Sequence, residues 1–291
     1  LLPAATLQSA VAGADGVVCM LTDRIDAALL AAAPRLRFVS SVSVGLDHVD
    51  LAAATARGLP VGHTPGVLVD ATADTAFALL LAAARRVAEA DAFVRAGRWR
   101  QENAWSPDFF LGRDLAGATL GLVGLGAIGQ AVARRAAAFG MRVVGWNRSP
   151  RNVPGVESLP LAEVLAASDF VSVHVALAPE TRGLLDAERL AQLRRGAVLI
   201  NTARGGIVDE TALAEALASG RLGAAGLDVY AQEPLPADSP LLSAPNTVLT
   251  PHIGSATART RRRMADLAAA NALAALRGER MAHCANPEVY G

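Results

Sequence analysis

The sequence predicts an α/β protein with parallel sheets covered by helices on both faces, divided into two domains. Short apolar runs rich in Val, Ile and Leu alternate with Ala-rich helical patterns along the chain, the order that a parallel sheet with helical crossovers requires. The alternation comes in two series, separated by a long helical pattern near residue 72. A chain of 291 residues is also long enough to bury two cores.

The elements follow in order. Residues 14–21 (ADGVVCML) read as a buried strand, 36–44 (LRFVSSVSV) as a second and 58–62 (GLPVG) as a short third, with a helical pattern at 24–33. Residues 72–95 read as one long Ala-rich helix, with Asp70 and Thr72 as capping candidates. An aromatic and polar loop covers 97–117. The second series then supplies six strands: TLGLVG, MRVVGW, DFVSVHV, GAVLINT, AAGLDV and TVLTPH. Residues 255–278 form a final helix whose ARTRRR run reads as a solvated face. Between the fifth and sixth strands the chain is stiff. Pro234, Pro236, Pro240, Pro245 and Pro251 exclude a regular helix there, because each removes a donor and crowds the preceding turn.

Composition narrows the function classes. The 27 basic and 27 acidic residues balance, so no global field favours nucleic acid or an anionic membrane. No apolar run approaches the ~18 residues of a membrane span. Every basic residue is Arg, which excludes a Schiff-base lysine and a Walker-type phosphate lysine. Cys19 and Cys284 form neither a disulfide framework nor a metal-ligand spacing, and fit reduced thiols in a cytoplasm. The chain opens with Leu1-Leu2-Pro3 instead of Met, so targeting is not read from that end.

Gly124-Leu125-Gly126-Ala127-Ile128-Gly129 follows one strand and opens a helix that leads to another. That context turns a weak G-x-G-x-x-G match into a dinucleotide site. The glycines let the backbone approach a pyrophosphate, and the helix N-terminus offers free N–H groups. An NAD site normally places an acidic residue at the end of the next strand, where it binds the ribose 2′-hydroxyl. Here that place reads Trp146-Asn147-Arg148-Ser149, with no carboxylate. Arg148 can pair with a 2′-phosphate, and Asn147 and Ser149 can donate to it. The site is therefore expected to prefer NADP(H), with NAD(H) possible.

Three polar groups follow the last three strands, at the sheet edge where open α/β folds bind ligands: Arg204, Glu233 and His252. Reduction of a 2-keto acid needs these three types. A planar guanidinium holds the carboxylate and polarises the ketone. A protonated imidazole gives the carbonyl oxygen its proton as hydride arrives. A carboxylate on the far ring nitrogen orients the imidazole and favours its charged form. A cation at position 204, just before a helix, opposes the helix dipole, which fits a role facing an anion.

NTARGGIVDE (201–210), GLDVYAQEP (226–234) and TPHIGSAT (250–257) resemble three signatures of the D-isomer-specific 2-hydroxyacid dehydrogenases, and the likeness covers essentially the whole chain. TPGVLVDATADTAFALLLAAARR, the Asn-Arg-Ser strand end and EPLPADSPLL look most like the glyoxylate/hydroxypyruvate reductases of that family. The resemblance implies two Rossmann-like domains with a cleft between them. One is a discontinuous flavodoxin-like substrate domain, 1–71 plus 257–291; the other is an NAD(P)-binding domain, 72–256. It implies Arg204, Glu233 and His252 as the catalytic set, and Val44 and Gly45 as backbone donors to the substrate carboxylate. It implies cofactor contacts at Thr72, Leu125, Ala127, Ile128, Asn147, Arg148, Ser149, Thr181, Thr202, Ala203, Asp228, His252 and Gly254. Trp105 matches a Trp that reaches the partner subunit's active site in similar reductases. A cytoplasmic homodimer through the NAD(P)-binding domains is implied, with 72–113 as the arm.

Two departures stand out. Ala176 replaces the family's usual Pro, which implies a small shift in the adenosine-side loop. Family members also begin before the equivalent of Leu1, which implies that the substrate domain lacks its first strand and helix. Other members of the class, such as phosphoglycerate dehydrogenases, remain rivals. So does a nucleotide-sensing scaffold resembling the C-terminal-binding-protein corepressors.

Overall fold

A computed structural model describes residues 2–291. It divides into two units, Leu1–Leu68 with Ala256–Gly291, and Val69–Ser255.

The first unit holds a parallel three-stranded sheet, β1 (Val17–Cys19), β2 (Val39–Ser41) and β3 (Val61–Gly62), in that order. Helices α1 (Ala4–Val11), α2 (Ala27–Ala32) and α3 (Leu51–Ala56) precede the strands in turn. Asp26 and Asp50 cap α2 and α3 by accepting the Leu29 and Ala53 N–H groups, which satisfies donors that helix starts leave open. Ile25, Leu29, Leu30, Val39 and Val61 form the core. The C-terminal segment is sewn into this unit by buried amides. Asn286 Oδ1 accepts the Val61 N–H, and Asn271 Nδ2 donates to His63 O.

The second unit begins with α4 (Val69–Ala84) and α5 (Val87–Arg95). Its parallel sheet has seven strands in the order β10-β9-β8-β7-β4-β5-β6. These are β4 (Thr119–Val123), β5 (Arg142–Trp146), β6 (Glu157–Ser158), β7 (Phe170–Val173), β8 (Val198–Asn201), β9 (Ala224–Leu227) and β10 (Thr247–Leu249). Helices α6 (Ala127–Ala138), α7 (Leu161–Ala167), α8 (Ala187–Gln192) and α9 (Glu210–Ala218) connect them, and α10 (Ala258–Leu276) follows in the first unit. β4, β7 and β8 are buried along their whole length, as central parallel strands covered on both faces must be. Two apolar clusters use these strands, one around Leu120, Leu122 and Leu80, the other around Val123, Val171 and Leu199. Each fully buried Leu contributes about 2 kcal/mol.

Several expectations need correction. The single helix expected at 72–95 is two helices, because Arg86 adopts a left-handed backbone (φ 54°). Glu89 holds the Arg86 guanidinium, which also stacks on Phe110. Thr72 is not a cap: α4 already starts at Val69, Asp70 sits in its first turn, and Thr72 is buried inside it. The unit boundary accordingly falls at Leu68, before the helix, and not at residue 71. The sheet has a seventh strand, β6, whose two residues pair with β5 at the edge.

Candidate active site

The three glycines of the turn do different work. A side chain at Gly129 would meet Gly124 O at 2.1 Å, so helix α6 can pack on the turn only with Gly there. Gly124 has φ 109° and lies against the His174 backbone, where a Cβ would sit 2.6 Å from the carbonyl carbon. A Cβ on Gly126 would meet nothing within 4 Å, so open space lies above the turn. Gly126 is also the N-cap of α6 and supplies no side-chain cap, which leaves the first N–H groups of Ala127 and Ile128 for a ligand anion. Thr202 Oγ1, just past β8, is buried without a hydrogen-bond partner among the described residues. An open glycine turn, an uncapped helix start and an orphaned hydroxyl fit a dinucleotide.

The adenosine side is more tightly wired than the sequence suggested. Asn147 Oδ1 accepts the Leu125 N–H (3.1 Å) and Asn147 Nδ2 donates to Ser149 O (2.8 Å), so this amide is engaged with its own chain. Arg151, absent from the expected set, donates to Leu125 O (3.2 Å). Arg148 lies 3.6 Å from Glu180, a carboxylate that comes from the turn after β7 and not from the β5 end. Leu125 itself is fully buried, and its N–H and C=O are both engaged within the chain, so the contact expected there has no free group to make it. The Thr181 hydroxyl, expected at the cofactor, donates to Ala176 O (2.6 Å) and closes the 176–181 turn.

His174, below the turn, is half-buried and shares a 2.8 Å hydrogen bond with Ser172 Oγ. Burial pushes its pKa from 6.5 down to about 4. The unfolded chain therefore takes up a proton in this window that the folded chain does not. The stability this His contributes is complete above pH 6.5 and is lost as pH falls toward 4. Denaturant unfolding should show a loss of up to about 3 kcal/mol across that window. His174→Gln should flatten the slope; an unchanged slope would show that another group carries it.

The β9 and β10 ends build the chemical centre. Asp228, buried, receives the Ile253 N–H and the Thr250 hydroxyl on Oδ1 and the Gly254 N–H on Oδ2. These bonds hold the chain around His252, which has a left-handed backbone (φ 53°), a conformation a non-Gly residue keeps only when its surroundings impose it. His252 Nδ1 donates to Glu233 Oε2 at 2.6 Å, and both side chains are about a quarter exposed. Glu233 Oε1 accepts the Tyr230 N–H at 3.0 Å. Burial alone would raise the Glu233 pKa. Hydrogen bonds from His252 and the Tyr230 amide, with the charges of His252 and Arg204, outweigh it and hold the carboxyl below its ordinary range.

Glu210, at the first turn of α9, accepts the Ala231 N–H at 2.6 Å and so fixes the segment leading to Glu233. Asn201 brackets the loop to Arg204: its Nδ2 donates to Arg204 O, and its Oδ1 accepts the Ala203 N–H. Arg204 Nη1 donates to Ala203 O, and its charge is felt at Glu233. Gly254 lies against Thr72, 3.4 Å from an ideal Cβ to the Thr72 methyl. The structure thus gathers Arg204, Glu233 and His252 around one end of the sheet. Asn201 and Glu210 were legible only as letters within a motif.

Val44 and Gly45 are in the first unit, in the loop after β2, where Ser43 Oγ donates to Gly45 O. Trp105 is 78% exposed and packs against little of its own chain. Among the described residues, no group of His, Cys, Asp and Glu side chains could hold a metal ion.

Known proteins resemble this chain along most of its length. Residues 77–254 match the family model described as D-isomer specific 2-hydroxyacid dehydrogenase, NAD binding domain. A glyoxylate reductase of Korarchaeum cryptofilum is 50% identical over 279 residues, which span 94% of this chain and 83% of the relative. The crystal structure of TT0316 protein from Thermus thermophilus is 53% identical, with a TM-score of 0.92 over 98% of this chain and 90% of that one. An NADPH-dependent glyoxylate/hydroxypyruvate reductase from Sinorhizobium meliloti, solved with NADP and malonate, is 37% identical, with a TM-score of 0.89 over 98% of this chain and 88% of that one. With its glycine turn, its wired β9 and β10 ends and these likenesses, the chain belongs to the D-isomer-specific 2-hydroxyacid dehydrogenases.

Proposed function

We propose that the protein reduces a small 2-keto acid, glyoxylate or hydroxypyruvate, to the 2-hydroxy acid, with NADPH preferred over NADH. The 2.6 Å contact between His252 Nδ1 and Glu233 Oε2 carries this reading. It occupies one ring nitrogen and leaves Nε2 as the atom that can hold a proton for the substrate. A reduced nicotinamide, when bound, supplies the hydride. Glu233 stays ionised at neutral pH, since its carboxyl lies below the ordinary range, and it keeps the imidazole oriented. Arg204 holds the substrate carboxylate and polarises the ketone. Relatives named glyoxylate reductase support the substrate class. The Sinorhizobium enzyme described as NADPH-dependent supports the nucleotide.

Steady-state kinetics with glyoxylate, hydroxypyruvate and pyruvate, each with NADPH and NADH, test the reading. Highest kcat/KM on pyruvate, or on none of the three, would overturn the substrate assignment. Arg148→Ala should raise the KM for NADPH about tenfold and that for NADH little, because an exposed charge pair to phosphate is lost only with the phosphorylated nucleotide. Equal effects on both would overturn the NADP preference.

We also propose a cytoplasmic homodimer formed through the nucleotide-binding units. Val87, Val94, Trp99, Trp105 and Leu111 are exposed apolar side chains within one stretch of chain, a density that a partner surface would cover. Trp105 is the residue of this arm assigned to the partner's substrate site.

A further inference from the structure

We propose that Glu180 and Arg151, together with Arg148, determine how strongly the site discriminates for the 2′-phosphate of its nucleotide. The inference rests on the NADP reading above and deepens it. Glu180 acts as a counter-carboxylate that the phosphate must displace from Arg148, and Arg151 is the second cation that receives the phosphate.

Arg148 leaves the end of β5, and Glu180 sits in the turn after β7. β4 runs between these two strands. Side chains from either side thus meet above the end of β4, where the glycine turn begins, at 3.6 Å between Nη1 and Oε2. Both are well exposed, 70% and 63%, and an exposed pair of this kind shifts an equilibrium only a few-fold. It neutralises Arg148 in the free protein yet yields readily to a better anion.

Arg151 reaches the same place by a different route. Its Nη1 donates to Leu125 O, inside the glycine turn, while Asn147 holds the N–H of that same residue. The guanidinium is therefore anchored at one end and keeps other donors for a ligand, as the forked group allows. Asn147, by contrast, is engaged with Leu125 and Ser149. Charge recognition of the phosphate thus falls to the two arginines, beside the Ser149 hydroxyl. A ribose with a free 2′-hydroxyl can donate to the Glu180 carboxylate, whereas a phosphate is repelled by it. Glu180 sets a ceiling on the NADP preference and keeps NAD usable.

The test separates binding from turnover. Isothermal titration of the full chain with adenosine 2′,5′-bisphosphate and with 5′-AMP isolates the 2′-phosphate, and the wild type is compared with E180Q, R151A and R148A. E180Q should tighten the bisphosphate about fivefold, and R151A should weaken it about tenfold, with 5′-AMP changing less than about twofold in each. Both effects should shrink at high salt, as exposed charges are screened. The 5′-AMP arm also reports that each variant retains a folded site. If R148A weakens the bisphosphate selectively while E180Q and R151A leave the ratio unchanged, the NADP reading stands and this inference falls. If E180Q weakens both ligands alike, Glu180 only supports its turn and the inference falls. If the wild type does not distinguish the two ligands and R148A changes nothing, the NADP reading itself fails.

Discussion

His252→Gln is expected to lower turnover by about a hundred- to ten-thousandfold, the range that a positioned general acid supplies. The substituted amide can still donate to Glu233 Oε2, so the polar contact at 2.6 Å in the parent has a replacement. What it cannot do is carry a transferable proton. Glu233 cannot substitute, because its carboxyl is held below the ordinary range and has no proton to give at neutral pH. NADPH binding, read by quenching of nucleotide fluorescence, should stay close to that of the parent, since the glycine turn is untouched. The backbone at 252 should also hold, because Asp228 clamps the Ile253 and Gly254 N–H groups whatever side chain precedes them. Turnover within a few-fold of the parent would remove His252 from the mechanism.

Gly205→Ala should be the most damaging small substitution in the chain. The added methyl would sit 1.8 Å from the Tyr230 carbonyl carbon and 2.1 Å from the Ala231 nitrogen. Both are backbone atoms, so no side chain can swing aside. The segment must move by an ångström or more, and it is the one whose amides hold Glu233 and Glu210. Overpacking of this kind costs about 3 kcal/mol of stability. A shift of about 1 Å in a catalytic group costs about a hundredfold in rate. Thermal unfolding and turnover per folded molecule should therefore both fall. A variant with the parent's melting temperature and turnover would show that the two backbones are not in contact.

The glycine turn and the His–Glu pair were legible because both depend on residues close in sequence. The turn is one loop with a strand on either side. Glu233 and His252 are joined by a proline-rich segment that cannot coil, so the two strand ends largely determine where they meet. Features made by distant residues were not legible. The break at Arg86 interrupts an Ala-rich pattern that shows neither Gly nor Pro there; its left-handed backbone is accompanied by a stack on Phe110, 24 residues later. Glu180 was not legible because a ribose-side carboxylate is expected at the end of β5, whereas the structure brings one from the turn after β7. Strands came out shorter than their apolar runs: 36–44 is apolar through most of its length, but only Val39–Ser41 forms regular strand ladders, while Arg37, Phe38, Val42 and Ser43 make single hydrogen bonds to the flanking segments.

Thr72 and Gly254 stand side by side, near the first and last residues of the continuous segment Val69–Ser255. A polypeptide that enters and leaves a unit at neighbouring points can be lifted out or exchanged as a cassette, with a short bridge closing the gap. The glycine turn, the charges around Arg148 and the proton-delivering pair all lie inside this cassette. Nucleotide choice and proton delivery would be inherited together in any recombination at that junction, while the loop at Val44 and Gly45 would stay with the recipient.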